Sequence, residues 1–78
     1  MQIGKIYFDK IHLSCPEQYD VYKDNQLIGC VRLRYGILRL YIGNNTVYKH
    51  TFDAPFKGEF SSEEERMQYM TEISDYLE

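Results

Sequence analysis

The chain has 78 residues, 44% of them hydrophobic and 15% aromatic, with a net charge of −3. That is enough apolar material for one ordered domain over residues 1–78 with a small core, near the lower size limit for folding without a staple. No apolar run approaches the roughly 20 residues of a membrane span, and Met1-Gln2-Ile3-Gly4-Lys5 lacks a signal peptide's apolar region and cleavage site. The expectation is a cytoplasmic chain with no membrane contact.

In chain order, runs rich in Val, Ile, Leu, Tyr and Thr predict strands near residues 3–8, 18–23, 27–35, 37–43 and 46–52. They are separated by turn signals at Cys15-Pro16, Lys23-Asp24-Asn25-Gln26, Tyr35-Gly36, Gly43-Asn44-Asn45 and Ala54-Pro55 through Gly58. The stretch 9–16 reads either as a further short strand or as irregular chain. Such short connections require antiparallel neighbours, because a parallel pair needs a crossover.

The run 27–42 specifies its own register. With Tyr35-Gly36 as the two turn residues, Arg34 faces Ile37, Leu33 faces Leu38, Arg32 faces Arg39, Val31 faces Leu40 and Cys30 faces Tyr41. Side chains alternate along a strand. One face then carries Leu27, Gly29, Val31, Leu33, Leu38, Leu40 and Ile42. The other carries Ile28, Cys30, Arg32, Arg34, Ile37, Arg39 and Tyr41. For the following hairpin, a three-residue loop Gly43-Asn44-Asn45 is preferred to a two-residue Asn44-Asn45 turn. It puts Thr46, Tyr48, His50 and Phe52 on the apolar side and Val47, Lys49 and Thr51 on the other.

A C-terminal helix begins after Ser61 or Ser62, with Glu64 or Glu65 completing a capping box. Glu63, Glu64 and Glu65 suit the positive end of the helix dipole. Met67, Met70, Ile73 and Leu77, flanked by Tyr69 and Tyr76, form a stripe that should cover the sheet's apolar face. Asp75 and Glu78 have the wrong sign for the last turn, which predicts fraying there. Residues 61–78 carry six acids against Arg66 alone, while residues 1–60 carry eight bases and six acids. A mildly basic body thus bears an acidic helix. The fold class expected is α+β: an antiparallel meander of four to five strands with one helix packed on one face.

Chemical motifs are weak. His12 and Cys15, with Cys30 and His50 downstream, lack the two tight ligand pairs of a zinc site, and the register puts Cys30 and His50 on opposite faces. Two free cysteines are the ordinary reading in a reducing compartment. A cysteine nucleophile would need His12 or His50 as its base. Asp53 with Glu59, or the Glu63–Glu65 run, could be read as paired carboxylates, but capping explains the run better. No enzyme, metal or cofactor is expected.

The surface with a character of its own is the face bearing Arg32, Arg34 and Arg39, with Ile37 and Tyr41. It is read first as a solvated face whose guanidiniums pair with Asp20 or Glu17. Functionally it is read as a protein-binding surface, since Arg and Tyr dominate interface hot spots. Nucleic acid is the alternative, with Tyr41 and Tyr19 as stacking rings beside the arginines and Lys49; the acidic overall charge weighs against it. The chain is expected to be a monomer or a weak homodimer, the latter through strand 3–8 or 46–52 as an exposed edge.

The segments Cys15-Pro16-Glu17-Gln18-Tyr19-Asp20-Val21-Tyr22, Gly29-Cys30-Val31-Arg32-Leu33-Arg34-Tyr35-Gly36 and Phe60-Ser61-Ser62-Glu63-Glu64-Glu65-Arg66 resemble a group of short bacterial and phage-associated hypothetical proteins. The resemblance covers about residues 11–77. It implies a prokaryotic or mobile-element origin and transfers no catalytic residue.

Overall fold

The computed structural model describes residues 1–12 and 16–78, so the expectations resting on Cys15 lie outside the described residues. Six strands form one antiparallel sheet in strict sequence order: β1 (Gln2–Ile3), β2 (Ile6–Lys10), β3 (Glu17–Lys23), β4 (Gln26–Arg34), β5 (Ile37–Ile42) and β6 (Asn45–Thr51). The helix α1 (Glu63–Leu77) follows. The α+β meander stands, with six strands where four to five were expected. The extra strand arises because the run 3–8 is broken by a Gly4-Lys5 turn between the facing residues Ile3 and Ile6. Gly4 takes φ +59°, a conformation open to glycine at little cost.

The β4–β5 register is as the alternation demands, from Cys30 opposite Tyr41 to Arg34 opposite Ile37. Its inward residues Val31, Leu33, Leu38 and Leu40 are buried with Ile6, Phe8, Tyr19, Val21, Phe60, Met70 and Ile73. Phe52, Phe60 and Tyr69 extend this core as an aromatic cluster, with Phe60 and Tyr69 stacked and Phe52 edge-on to both.

Two bulges shift the expected faces. The β3–β4 ladder slips between Val21 and Tyr22, so that Val21 faces Gly29 and Tyr22 faces Leu27. One extra residue reverses the side on which the following residues point. Leu27, expected in the core, is 60% exposed, while Ile28 packs against the core. The β5–β6 ladder slips between Leu40 and Tyr41. Its turn is Gly43-Asn44, closed by Ile42 opposite Asn45, rather than the three-residue loop. Tyr48 and His50 still face Leu40 and Leu38 as expected, but Thr46 faces Tyr41 on the outer side and Val47 packs on the core.

The helix begins at Ser62, whose hydroxyl accepts from the Glu65 amide, while the Glu65 carboxylate accepts from the Ser61 amide. Its buried residues are Met70, Ile73 and Ser74; Met67, at the start of the expected stripe, is exposed. The fraying expected at Asp75 and Glu78 is countered from the sheet. Lys23 Nζ donates to the Leu77 carbonyl at 2.9 Å, bringing the favourable charge to the C-terminus. Ser74 Oγ donates to the Ile3 carbonyl at 2.7 Å, tying the last turn to β1.

Between β6 and α1, residues 52–60 fold back over the β4–β5 turn. Gly36 donates its amide to the Lys57 carbonyl and accepts from the Phe52 amide, both at 2.8 Å. Gly36 has φ +74°, and a Cβ there would collide with the Ala54 carbonyl oxygen. Glycine is therefore required at this position for conformation and for space.

Candidate functional site

Helix α1 covers one face of the sheet and leaves the other open. Arg32, Arg34, Ile37, Arg39 and Tyr41 all lie on the open face, as the register predicts. Cross-strand pairing arranges that face into rows. Gln18, Arg32, Arg39 and Lys49 stand side by side across β3 to β6. Arg34, Ile37 and Thr51 form the neighbouring row. Asp9, Asp20, Cys30, Tyr41 and Thr46 form the row on the other side.

Like charges directly opposite one another destabilise a sheet by roughly 0.2–1 kcal/mol per pair. Arg32, Arg39 and Lys49 make two such pairs in succession. Among the described residues, every ion pair involves Lys57 or Arg66, and none involves this row or Arg34. The expected neutralisation by Asp20 or Glu17 is absent for a geometric reason. Glu17 points inward and is 2% exposed. Asp20 sits one row away, opposite Cys30. The Nε of Arg32 is buried and has no hydrogen-bond partner. Its guanidinium lies 5.6 Å from the Tyr41 ring centroid, a cation–π contact.

The expected stacking platform is also altered. Tyr19 is in the core, its hydroxyl donating to Glu17. Burial, reinforced by that carboxylate, pushes its ionisation well above the ordinary phenol range. Tyr41 is half-buried and engaged by Arg32. Of the two rings only Tyr41 reaches the open face, and Arg32 already lies against it.

At one end of the open face the turn forms a corner the sequence reading passed over. Arg34, Tyr35, Phe56, Pro16 and Gly58 line a shallow groove of about 170 Å³. Phe56 is 91% exposed and Tyr35 64%. Arg34 stacks on the Tyr35 ring at 4.7 Å and donates to its hydroxyl at 3.0 Å. The available signal for Phe56 was a large aromatic inside a Pro-to-Gly turn segment, with no strand or helix to bury it.

On the helix side, the Glu17 carboxylate receives hydrogen bonds from Arg66 Nε at 2.6 Å, Arg66 Nη2 at 3.3 Å, the Phe60 amide at 3.1 Å and the Tyr19 hydroxyl. Burial pushes the Glu17 ionisation up, but these donors outweigh it and hold the carboxyl below the usual range. Arg66 also pairs with Glu63. This cluster locks the start of α1 to β3 with its partners matched. Cys30, on the open face, has its thiol ionisation raised chiefly by burial, which disfavours the thiolate a nucleophile needs. Cys30 and His50 lie on opposite faces, and His50 sits 3.2 Å from the Tyr69 hydroxyl. Among the described residues no three metal-ligating side chains cluster, and no helix is long and apolar enough to cross a membrane.

Comparison with family models, with curated proteins and with solved structures finds no match.

Proposed function

We propose that the protein is a small non-catalytic binding module whose open sheet face engages an acidic segment of another protein. The observation that carries this reading is the row Arg32, Arg39 and Lys49, three cations aligned across adjacent strands with no carboxylate paired to them among the described residues. The fold gains nothing from placing like charges together. A partner that supplies carboxylates would convert that repulsion into charge-assisted hydrogen bonds, the stronger class of polar contact. A protein partner is favoured over single-stranded nucleic acid because Tyr19 is buried and Tyr41 is engaged by Arg32, so the exposed rings, Tyr35 and Phe56, stand at one corner and do not run along the cation row as a stacking platform would.

The test is affinity capture from a bacterial lysate with the wild type and with a triple Arg32→Ala, Arg34→Ala, Arg39→Ala variant. The expected result is a protein retained by the wild type, released by added salt and lost from a variant whose circular dichroism is unchanged. Equal retention by the folded variant would refute the reading. Tighter binding of labelled oligonucleotides than of acidic peptides would replace it with the nucleic-acid one.

A further inference from the structure

The sheet contains two tight turns in which both central residues have positive φ. Asp24 and Asn25 take +53° and +64°; Tyr35 and Gly36 take +53° and +74°. Asp and Asn are the side-chain-bearing residues that tolerate this region best. Tyrosine is not among them, and for a bulky residue it is a true outlier. Tyr35 gains no burial in return, since its ring is 64% exposed. Its return within the chain is the exposed contact with Arg34, and strain held for so little burial points to a role outside the fold.

Three further features converge on this ring. Phe56 stands 91% exposed across the groove from it. The backbone holding Phe56 is fastened to the turn through the Gly36 bonds to Phe52 and Lys57, and Lys57 donates back to the Ala54 carbonyl at 3.0 Å. Arg34, stacked on Tyr35, opens the row that runs beside Arg32, Arg39 and Lys49. Two exposed aromatic rings on a fixed frame, next to unpaired cations, have the composition of an interface anchor.

We infer that the Tyr35–Phe56 corner is an anchor pocket for one large apolar side chain of an acidic, extended partner segment, whose carboxylates then lie along the arginine rows. This rests on the function proposed above and adds to it the place and chemistry of the anchor. The occupant is set by charge complementarity: the groove of about 170 Å³ lined by Tyr35 and Phe56 takes the apolar group, and an acidic chain continues favourably over Arg34 and the neighbouring row of cations.

The test uses two short fluorescein-labelled peptides of aspartate and serine, identical except that one carries a tryptophan at one end and the other a serine. In fluorescence anisotropy the wild type should bind the tryptophan peptide about tenfold more tightly, the scale expected for burying one large apolar side chain. Tyr35→Gly and Phe56→Ser should each erase that preference. Tyr35→Gly should keep or raise the melting temperature, because glycine adopts the left-handed turn without strain; a merely structural tyrosine would lower it. An Arg39→Ala, Lys49→Ala variant should weaken both peptides alike. If the wild type binds both peptides equally, the anchor is refuted while acidic recognition survives. If neither binds, both proposals fall. If Tyr35→Gly or Phe56→Ser lowers the melting temperature and leaves the preference intact, the corner is structural and the inference is overturned.

Discussion

The two faces of one sheet treat charge in opposite ways. Inside, Glu17 is nearly inaccessible, yet two nitrogens of Arg66, a backbone amide and a phenol meet its carboxylate. Ser74, also buried, gives its proton to Ile3. Outside, Arg32, Arg39 and Lys49 stand together, and among the described residues no salt bridge reaches them. Buried polar groups must be matched for the chain to fold at all. Solvent-facing ones need not be, so what Arg39 and Lys49 lack reports on something other than stability; the Nε of Arg32, buried without a partner, is the exception on the outer face.

That contrast can be broken by mutation, and the inner face should give the largest effects. Arg66→Ala leaves the Glu17 carboxylate buried with its charge partner gone, which should cost about 3 kcal/mol, read from denaturant midpoints. Replacing the pair together, by Glu17→Leu with Arg66→Met, should restore only part of that loss, because the Tyr19 hydroxyl and the Phe60 amide then lose their acceptor. Gly36→Val forces a β-branched residue into positive φ and against the Ala54 carbonyl, for an expected cost of about 2 kcal/mol or more. An unchanged midpoint would mean the turn is not as described.

Acid should act through the same carboxylate, with a smaller effect. The folded-state ionisation of Glu17 lies below its ordinary value. Its stabilisation is therefore complete above the unfolded-state value, about 4.3, and is lost as pH falls through the lower, folded one. Thermal melts should show a decline below about pH 4.3 that is blunted in Glu17→Gln. The smallest effect belongs outside. Arg39→Gln should change stability by no more than about 0.5 kcal/mol, with a gain expected from relieved repulsion. A loss as large as that of Arg66→Ala would show that the outer row serves the fold after all.

Much of this contrast was legible in the residues. The stretch 27–42 alternates long enough, around a turn with Gly36 at its second position, that a shift of one residue would mix arginines with leucines; its pairing follows. The helix start was readable to within one residue, as Ser61 or Ser62 with Glu64 or Glu65, and the structure selects Ser62 and Glu65. What escaped has a physical reason in each case. The two residues of β1 are too few to show alternation. A bulge adds a residue without any compositional mark, so Leu27 and Ile28 were assigned to the wrong faces. Glu17 read as a surface acid because its partner, Arg66, lies 49 positions away on an element whose docking angle no local pattern encodes. Of the candidate site, the five residues Arg32, Arg34, Ile37, Arg39 and Tyr41 share the open face as expected. The corner at Tyr35 and Phe56 was missed because two separate loops build it.

The strictly sequential order of the six strands sets how the chain reaches this state. Each strand pairs only with its chain neighbours, so every hairpin can close locally, at the low loop-closure cost that favours fast formation. The exceptions are the links made by residues 58–78, from Gly58 and Phe60 to Glu17 and from Ser74 to Ile3. Their long separation predicts that helix docking follows sheet formation, an order that φ-values at Met70 and Leu38 would check. In that order Leu33, Leu38 and Leu40 would face water until the helix docks, and a chain truncated before Ser61 is expected to aggregate, which light scattering would read.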